Sequence, residues 1–121
     1  MSQNAKILYI DDEKDLLDLA ASFFLDEKLH IHTCTCFEQA IKMIREHNYE
    51  IIISDSKMPT GSGAELLNAI KDEGIFNGKF ILVTGNVDNM YENNRHAFDD
   101  VLFKPLHFQD LINKVKQLVS T

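Results

Sequence analysis

The chain has 121 residues, 45% apolar and 26% charged, which suits one folded domain with its own core and argues against extensive disorder. Its formal net charge is −7, from 12 Lys plus Arg against 19 Asp plus Glu, so direct binding of a nucleic acid is disfavoured by repulsion. No apolar run is long enough to span a membrane and no basic leader precedes one, so a cytoplasmic location and no membrane partner are expected; Cys34 and Cys36 lie too close along the chain for a comfortable mutual disulfide.

The first apolar run, Ile7 to Ile10, predicts a strand that Asp11-Asp12 closes. Leu16, Ala20, Phe23 and Phe24 then recur at helical spacing. Leu29 to Thr33 alternates, as an edge strand does, and Phe37, Ala40, Ile41 and Ile44 mark a second helix. Ile51 to Ile53 reads as a strand buried on both faces and leads through Ser54 to Asp55. Gly61 and Gly63 follow in a loop, where turn geometry suffices to explain them. Ala64, Leu66, Leu67 and Ile70 make a third helix with Gly74 as its stop, and Phe80 to Val83 makes a strand ending in Thr84. Asp88 to Ala97 carries three Asn and few apolar residues, so any helix there is short or loosely held. Val101 to Phe103 is the fifth strand, ending in Lys104-Pro105, and Leu111, Val115 and Leu118 mark the last helix.

This βα alternation predicts an α/β fold, a doubly wound (βα)5 domain around a five-stranded parallel sheet, for which the flavodoxin-like order 2-1-3-4-5 is a common solution at this size. In a parallel sheet the carboxyl ends of all strands lie along one edge. Asp11, Asp12, Asp55, Thr84 and Lys104 therefore converge. Carboxylates so placed repel one another, and a hard divalent cation such as Mg²⁺ relieves the repulsion. A cation on one side and Lys104 on the other can neutralise a phosphoryl group, the Thr84 hydroxyl can donate to one of its oxygens, and a carboxylate can act as nucleophile toward phosphorus. Asp55, at the end of the central strand, is the expected nucleophile.

In these features the sequence resembles the receiver domain of two-component response regulators, of the chemotaxis-regulator-like kind, over its whole length. The residues carrying the resemblance are Asp11-Asp12, Asp55 with Pro59 and Gly63 at the usual loop spacing, Thr84 with Gly85 beside it, and Lys104-Pro105. The resemblance implies a single receiver domain over residues 1–121 with no output domain. It implies that Asp55 accepts a phosphoryl group from a histidine kinase or a histidine phosphotransfer protein. Mg²⁺ would be held by Asp12, Asp55 and the backbone carbonyl of Lys57, with Asp11 acting through a water. Thr84 and Lys104 would be drawn toward the phosphoryl group, shifting a two-state population that an unidentified protein target reads by contact. The chain would transfer phosphate only to itself and lose it slowly. Lys57, at the pocket mouth, would tune how long the phosphate lasts.

The sequence departs from the family in the path leading outward. The aromatic residue often found three before the Lys is here Val101, and neither Phe98 nor Phe103 fills that place. The usual Gly-Ala pair before strand five is Ala97-Phe98, and the span from Thr84 to Lys104 is short by about two residues in that comparison. A modified readout surface is expected.

Blander and competing readings stand beside these. Asp12 could be only a helix N-cap. His30, His32, Cys34 and Cys36 alternate along one strand and offer nitrogen and sulfur ligands, but four ligands strung on a straight strand cannot surround one ion. Phe23, Phe24 and Phe108 read as packing residues, and Asp26-Glu27 and Asp99-Asp100 as solvated charge. A Mg²⁺-dependent phosphatase with an aspartyl nucleophile is the alternative from another class; it calls for a DxD motif where this chain has Asp11-Asp12-Glu13, and for a cap domain that 121 residues leave no room for. Behind the stand-alone receiver and a phosphorelay intermediate stands a third reading, the receiver piece of a longer regulator or hybrid kinase.

Overall fold

Strands that are apolar at every position need cover on both faces, and here they receive it. The computed structural model describes residues 6–85 and 97–119. In chain order these form β1 (Ile7–Ile10), α1 (Lys14–Asp26), β2 (Ile31–Cys34), α2 (Phe37–Glu46), β3 (Ile51–Asp55), α3 (Gly63–Glu73), β4 (Lys79–Thr84), β5 (Asp100–Phe103) and α4 (Phe108–Val119). A short antiparallel ribbon, Lys57–Met58 against Gly61–Ser62, stands between β3 and α3. The main sheet is five-stranded and wholly parallel, in the order β2-β1-β3-β4-β5, the order expected. Among the described residues no helix is long and apolar enough to cross a membrane.

The period of two along each strand divides the core. Leu8, Ile10, Ile52, Phe80, Leu82 and Val101 face α2 and α3, meeting Ala40, Ile41, Ile44, Leu66, Leu67 and Ile70. Ile7, Tyr9, Ile51, Ile53, Ile81 and Val83 face α1 and α4, meeting Leu17, Ala20, Phe24, Leu111, Ile112 and Val115. Each fully buried Leu, Ile, Val or Phe among them contributes roughly 1.5–3 kcal/mol, so the two layers fix the sheet between them. The sheet in turn fixes where its carboxyl edge lies.

The structure shifts several local readings. The buried stripe of α1 is Leu17, Ala20 and Phe24, one step round the helix from Leu16 and Phe23. Phe23 stays 45% exposed and packs its ring 5.4 Å from that of Phe108. β2 begins at Ile31 rather than Leu29, although Leu29 is buried on the α1 side. Asp99 and Asp100 are more than solvated charge. The Asp99 carboxylate accepts the Phe80 amide at 2.7 Å, and Asp100 pairs with Lys114 at 2.8 Å. Glu27 is likewise paired, with Lys116. The helix expected near 88–97 lies, apart from Ala97, outside the described residues.

Gly61 and Gly63 need no turn explanation, since neither has a positive φ. Crowding is the reason. A Cβ on Gly61 would run into the ring of Phe37. At Gly63 it would sit 2.5 Å from Leu82 Cδ1 and 3.0 Å from the backbone oxygen of Asp55. Gly63 thus lets the start of α3 close against the end of β3. Gly63→Ala is expected to destabilise the fold by about 2 kcal/mol through overpacking, read as a lower denaturant midpoint at unchanged slope.

Candidate functional site

The parallel ladder runs one residue past three strand ends. The amides of Asp11, Ser56 and Lys104 donate to the carbonyls of Cys34, Val83 and Thr84 at 3.2, 2.8 and 2.8 Å. These bonds carry the alternation of the strands beyond their ends. Ile10 pairs with Ser54, Asp55 with Val83, and Thr84 with Phe103. Continued by one step, that register puts Asp11, Asp55 and Lys104 on the α1 side of the sheet, and Ser56 and Thr84 on the other.

The side chains on the α1 side meet. Lys104 Nζ lies 3.1 Å from Asp55 Oδ2 and 3.5 Å from Asp11 Oδ2. Asp11 is fully buried, Asp55 nearly so, and Asp12 is exposed. Ligand oxygens of Asp11, Asp12 and Asp55 all lie within 4.8 Å of one another, the only such group of acidic, imidazole or thiol side chains among the described residues. Hard oxygen donors, two sheltered and one open to solvent, fit a small divalent cation that keeps part of its water shell.

Burial pushes the Asp11 carboxyl above the usual carboxylate range; the Glu13 amide, donating to Asp11 Oδ1 at 2.9 Å, pulls it back, and the Asp55 charge adds to the rise. At Lys104 burial opposes the charge, but the hydrogen bond to Asp55 and the charges of Asp55 and Asp11 outweigh it and raise its pKa. Beneath them the buried Tyr9 phenol is raised too, by its burial and then by the charges of Asp11 and Asp55.

The remaining singled-out residues make no part of the Lys104 ion pairs. Thr84 is buried and does not complete the charged cluster; its Oγ1 accepts from Ser56 Oγ at 3.0 Å. Lys57 is exposed in the ribbon beyond Asp55. Pro105 follows Lys104 through a cis peptide bond. Val101 is buried against Leu82 on the α2–α3 side, and the ring of Phe98 packs 5.6 Å from that of Phe80 instead of standing beside Thr84. Asp12 does not cap α1: the N-cap is Glu13, with no side-chain capping bond.

The strand-borne nitrogen and sulfur ligands do not assemble. His32 Nδ1 is bonded to the Tyr49 hydroxyl at 2.7 Å, and Cys34 is buried in the core. Ser54 and Ser56 carry roles that the sequence reading passed over. Ser54 Oγ donates to the Asp55 carbonyl at 2.9 Å. Ser62 caps α3 by accepting the Glu65 amide at 3.1 Å, a pairing that the Ser-x-x-Glu spacing could have revealed.

Residues 7–116 match the model of the response regulator receiver domain. The chain is 30% identical over 117 residues to the response regulator SaeR of Staphylococcus epidermidis, covering 94% of this chain and 50% of that protein. It thus spans about half the length of the first curated relatives that it matches. Among solved structures, the Francisella response regulator 1452 receiver domain superposes with a TM-score of 0.86 at 27% identity, over 97% of this chain and 98% of that one. The response regulator TrrA of Thermotoga maritima, solved in complex with Mg²⁺ and a beryllium fluoride, superposes with a TM-score of 0.82 at 31% identity, over 94% and 98%.

A carboxyl whose folded-state pKa is raised favours folding only while it is protonated. The contribution of Asp11 is complete below its unfolded value, near 3.9, and is lost as pH rises through the folded value. Without divalent cation, Asp11→Asn is therefore expected to stabilise the protein at pH 7, with the gain fading toward pH 4. Denaturant melts across that range check it; equal midpoints at pH 7 would contradict the electrostatic account.

Proposed function

The chain belongs to the response regulator receiver domain family, whose general role is to accept a phosphoryl group, and from that premise we propose that Asp55 is the acceptor here. The observation that carries the reading is the single ammonium of Lys104 set between Asp55 and Asp11, with Asp12 within 4.8 Å of both acids. An Asp55 carboxylate oxygen attacks the donor phosphorus, the bond from phosphorus to its leaving group breaks, and an acyl phosphate forms. Lys104 neutralises charge on the phosphoryl oxygens, and Thr84 donates to one of them once its side chain reaches the site.

Receiver domains take Mg²⁺ at an acidic cluster of this kind. Here Asp12, Asp55 and the Lys57 carbonyl would hold it, with Asp11 acting through a water. The cation would supply charge neutralisation opposite Lys104. The family implies a histidine kinase as partner. Direct phosphate exchange with a histidine phosphotransfer protein, and signalling by contact with a downstream protein, complete the proposal. Since Val101 replaces the usual aromatic, that contact is read through a modified surface.

The reading is tested by labelling with acetyl phosphate, with and without Mg²⁺. Stoichiometric, Mg²⁺-dependent labelling of wild type and none of Asp55→Asn is expected. Labelling that survives Asp55→Asn unchanged overturns it, and sustained turnover of p-nitrophenyl phosphate would favour the phosphatase reading. Lys57→Asn is expected to change the dephosphorylation rate of the labelled protein; equal rates would remove Lys57 from the account.

A further inference from the structure

Ser56 follows the proposed phosphate acceptor directly, yet it serves a different partner. Its backbone is held at both ends: the amide donates to the Val83 carbonyl at 2.8 Å, and the carbonyl accepts the Gly63 amide at 3.1 Å. Its Oγ lies 3.0 Å from Thr84 Oγ1. Since Asp55 is in register with Val83, Ser56 falls beside Thr84, and lateral neighbours in a parallel ladder share a side. That side is the one opposite Asp55. The Thr84 hydroxyl therefore accepts from an anchored donor on the side of the sheet opposite Asp55.

We propose that Ser56 is a positioning residue, a tether that holds the Thr84 hydroxyl in the resting arrangement and must release it before Thr84 can donate to a phosphoryl oxygen on Asp55. The inference rests on Asp55 as the acceptor. Thr84 accepts from the neutral Ser56 hydroxyl at rest and would donate to an anionic phosphoryl oxygen once moved; the second bond is the stronger, so the move is favourable. The tether nevertheless lowers the fraction of chains ready to take the group, and apparent affinity falls by that fraction. Lys104 already touches Asp55 at rest, so Thr84 is the component that has to travel.

The test is titration of beryllium fluoride, a phosphoryl mimic, in saturating Mg²⁺, on wild type, Ser56→Ala, Ser56→Thr, Thr84→Ala and the Ser56→Ala/Thr84→Ala double variant. Ser56→Ala is expected to lower the midpoint about fivefold, the worth of one neutral hydrogen bond. Ser56→Thr, which keeps the hydroxyl, should stay near wild type. In the Thr84→Ala background Ser56→Ala should have no effect, and Mg²⁺ affinity without fluoride should be the same in wild type and Ser56→Ala. A second readout needs no ligand: the Thr84 amide resonance of free Ser56→Ala should move toward its position in the beryllofluoride-bound wild type. An unchanged or raised midpoint for Ser56→Ala, or the same fivefold effect without Thr84, overturns the tether. Loss of beryllofluoride binding in Ser56→Ala with intact Mg²⁺ affinity would also overturn it, since Ser56 would then assist. If wild type and Asp55→Asn respond alike to beryllofluoride, the acceptor assignment itself fails, and the tether with it.

Discussion

Two carboxylates sheltered from water at one edge of a sheet repel each other, and a single ammonium makes the arrangement tolerable. Lys104 Nζ stands within 3.1 Å of Asp55 and 3.5 Å of Asp11. Both acids lie where the dielectric is low and attraction and repulsion alike are stronger than in water. One cation among three acids leaves net negative charge in the cleft; the Asp11 carboxyl is raised first by its burial and further by the Asp55 charge. That residual charge suits the site to a divalent cation, which in turn makes room for an anionic phosphoryl group. A pocket neutralised by its own side chains would attract neither.

The sheet decides which groups take part. With successive residues pointing to opposite sides, the one-residue extension of the ladder at Asp11, Ser56 and Lys104 places the charged groups together and holds the hydroxyl pair apart. Gly63 lets α3 close onto the end of β3 at the same place, since any side chain there would meet the Asp55 carbonyl. The site is thus built from backbone register first and side-chain chemistry second.

This explains what could be read from the sequence. Each apolar run stops abruptly at a charged or hydroxyl residue, so Asp11, Asp55, Thr84 and Lys104 are visible as strand ends, and a parallel sheet must gather such ends. The βα alternation implies a parallel sheet, while the order of its strands is one common solution for that pattern and is settled by the pairing itself. Which side each end residue faces depends on lateral register, which one strand's sequence does not contain, so the bond from Ser56 to Thr84 was not legible. In α1 the spacing identifies Ala20 and Phe24 as buried, but Leu16-Leu17 and Phe23-Phe24 offer two overlapping stripes, and only packing against the sheet selects Leu17 over Leu16 and leaves Phe23 half exposed. The roles of Asp99 and Gly63 are contacts made across the chain, with the Phe80 amide and with Leu82, and local spacing carries no sign of them.

Val101 lies in the core against Leu82, while Phe103, level with Thr84 on the edge strand β5, is 39% exposed. The alternation that assigns these places also bears on how such a chain can diverge. A substitution at a strand end changes one functional group, but inserting or deleting one residue inside β1, β3 or β5 would turn Asp11, Asp55 or Lys104 to the opposite side of the sheet. Apolar residues within the strands can be exchanged for others of similar size without disturbing the site, whereas strand length is held fixed by the need to keep three charges on one side.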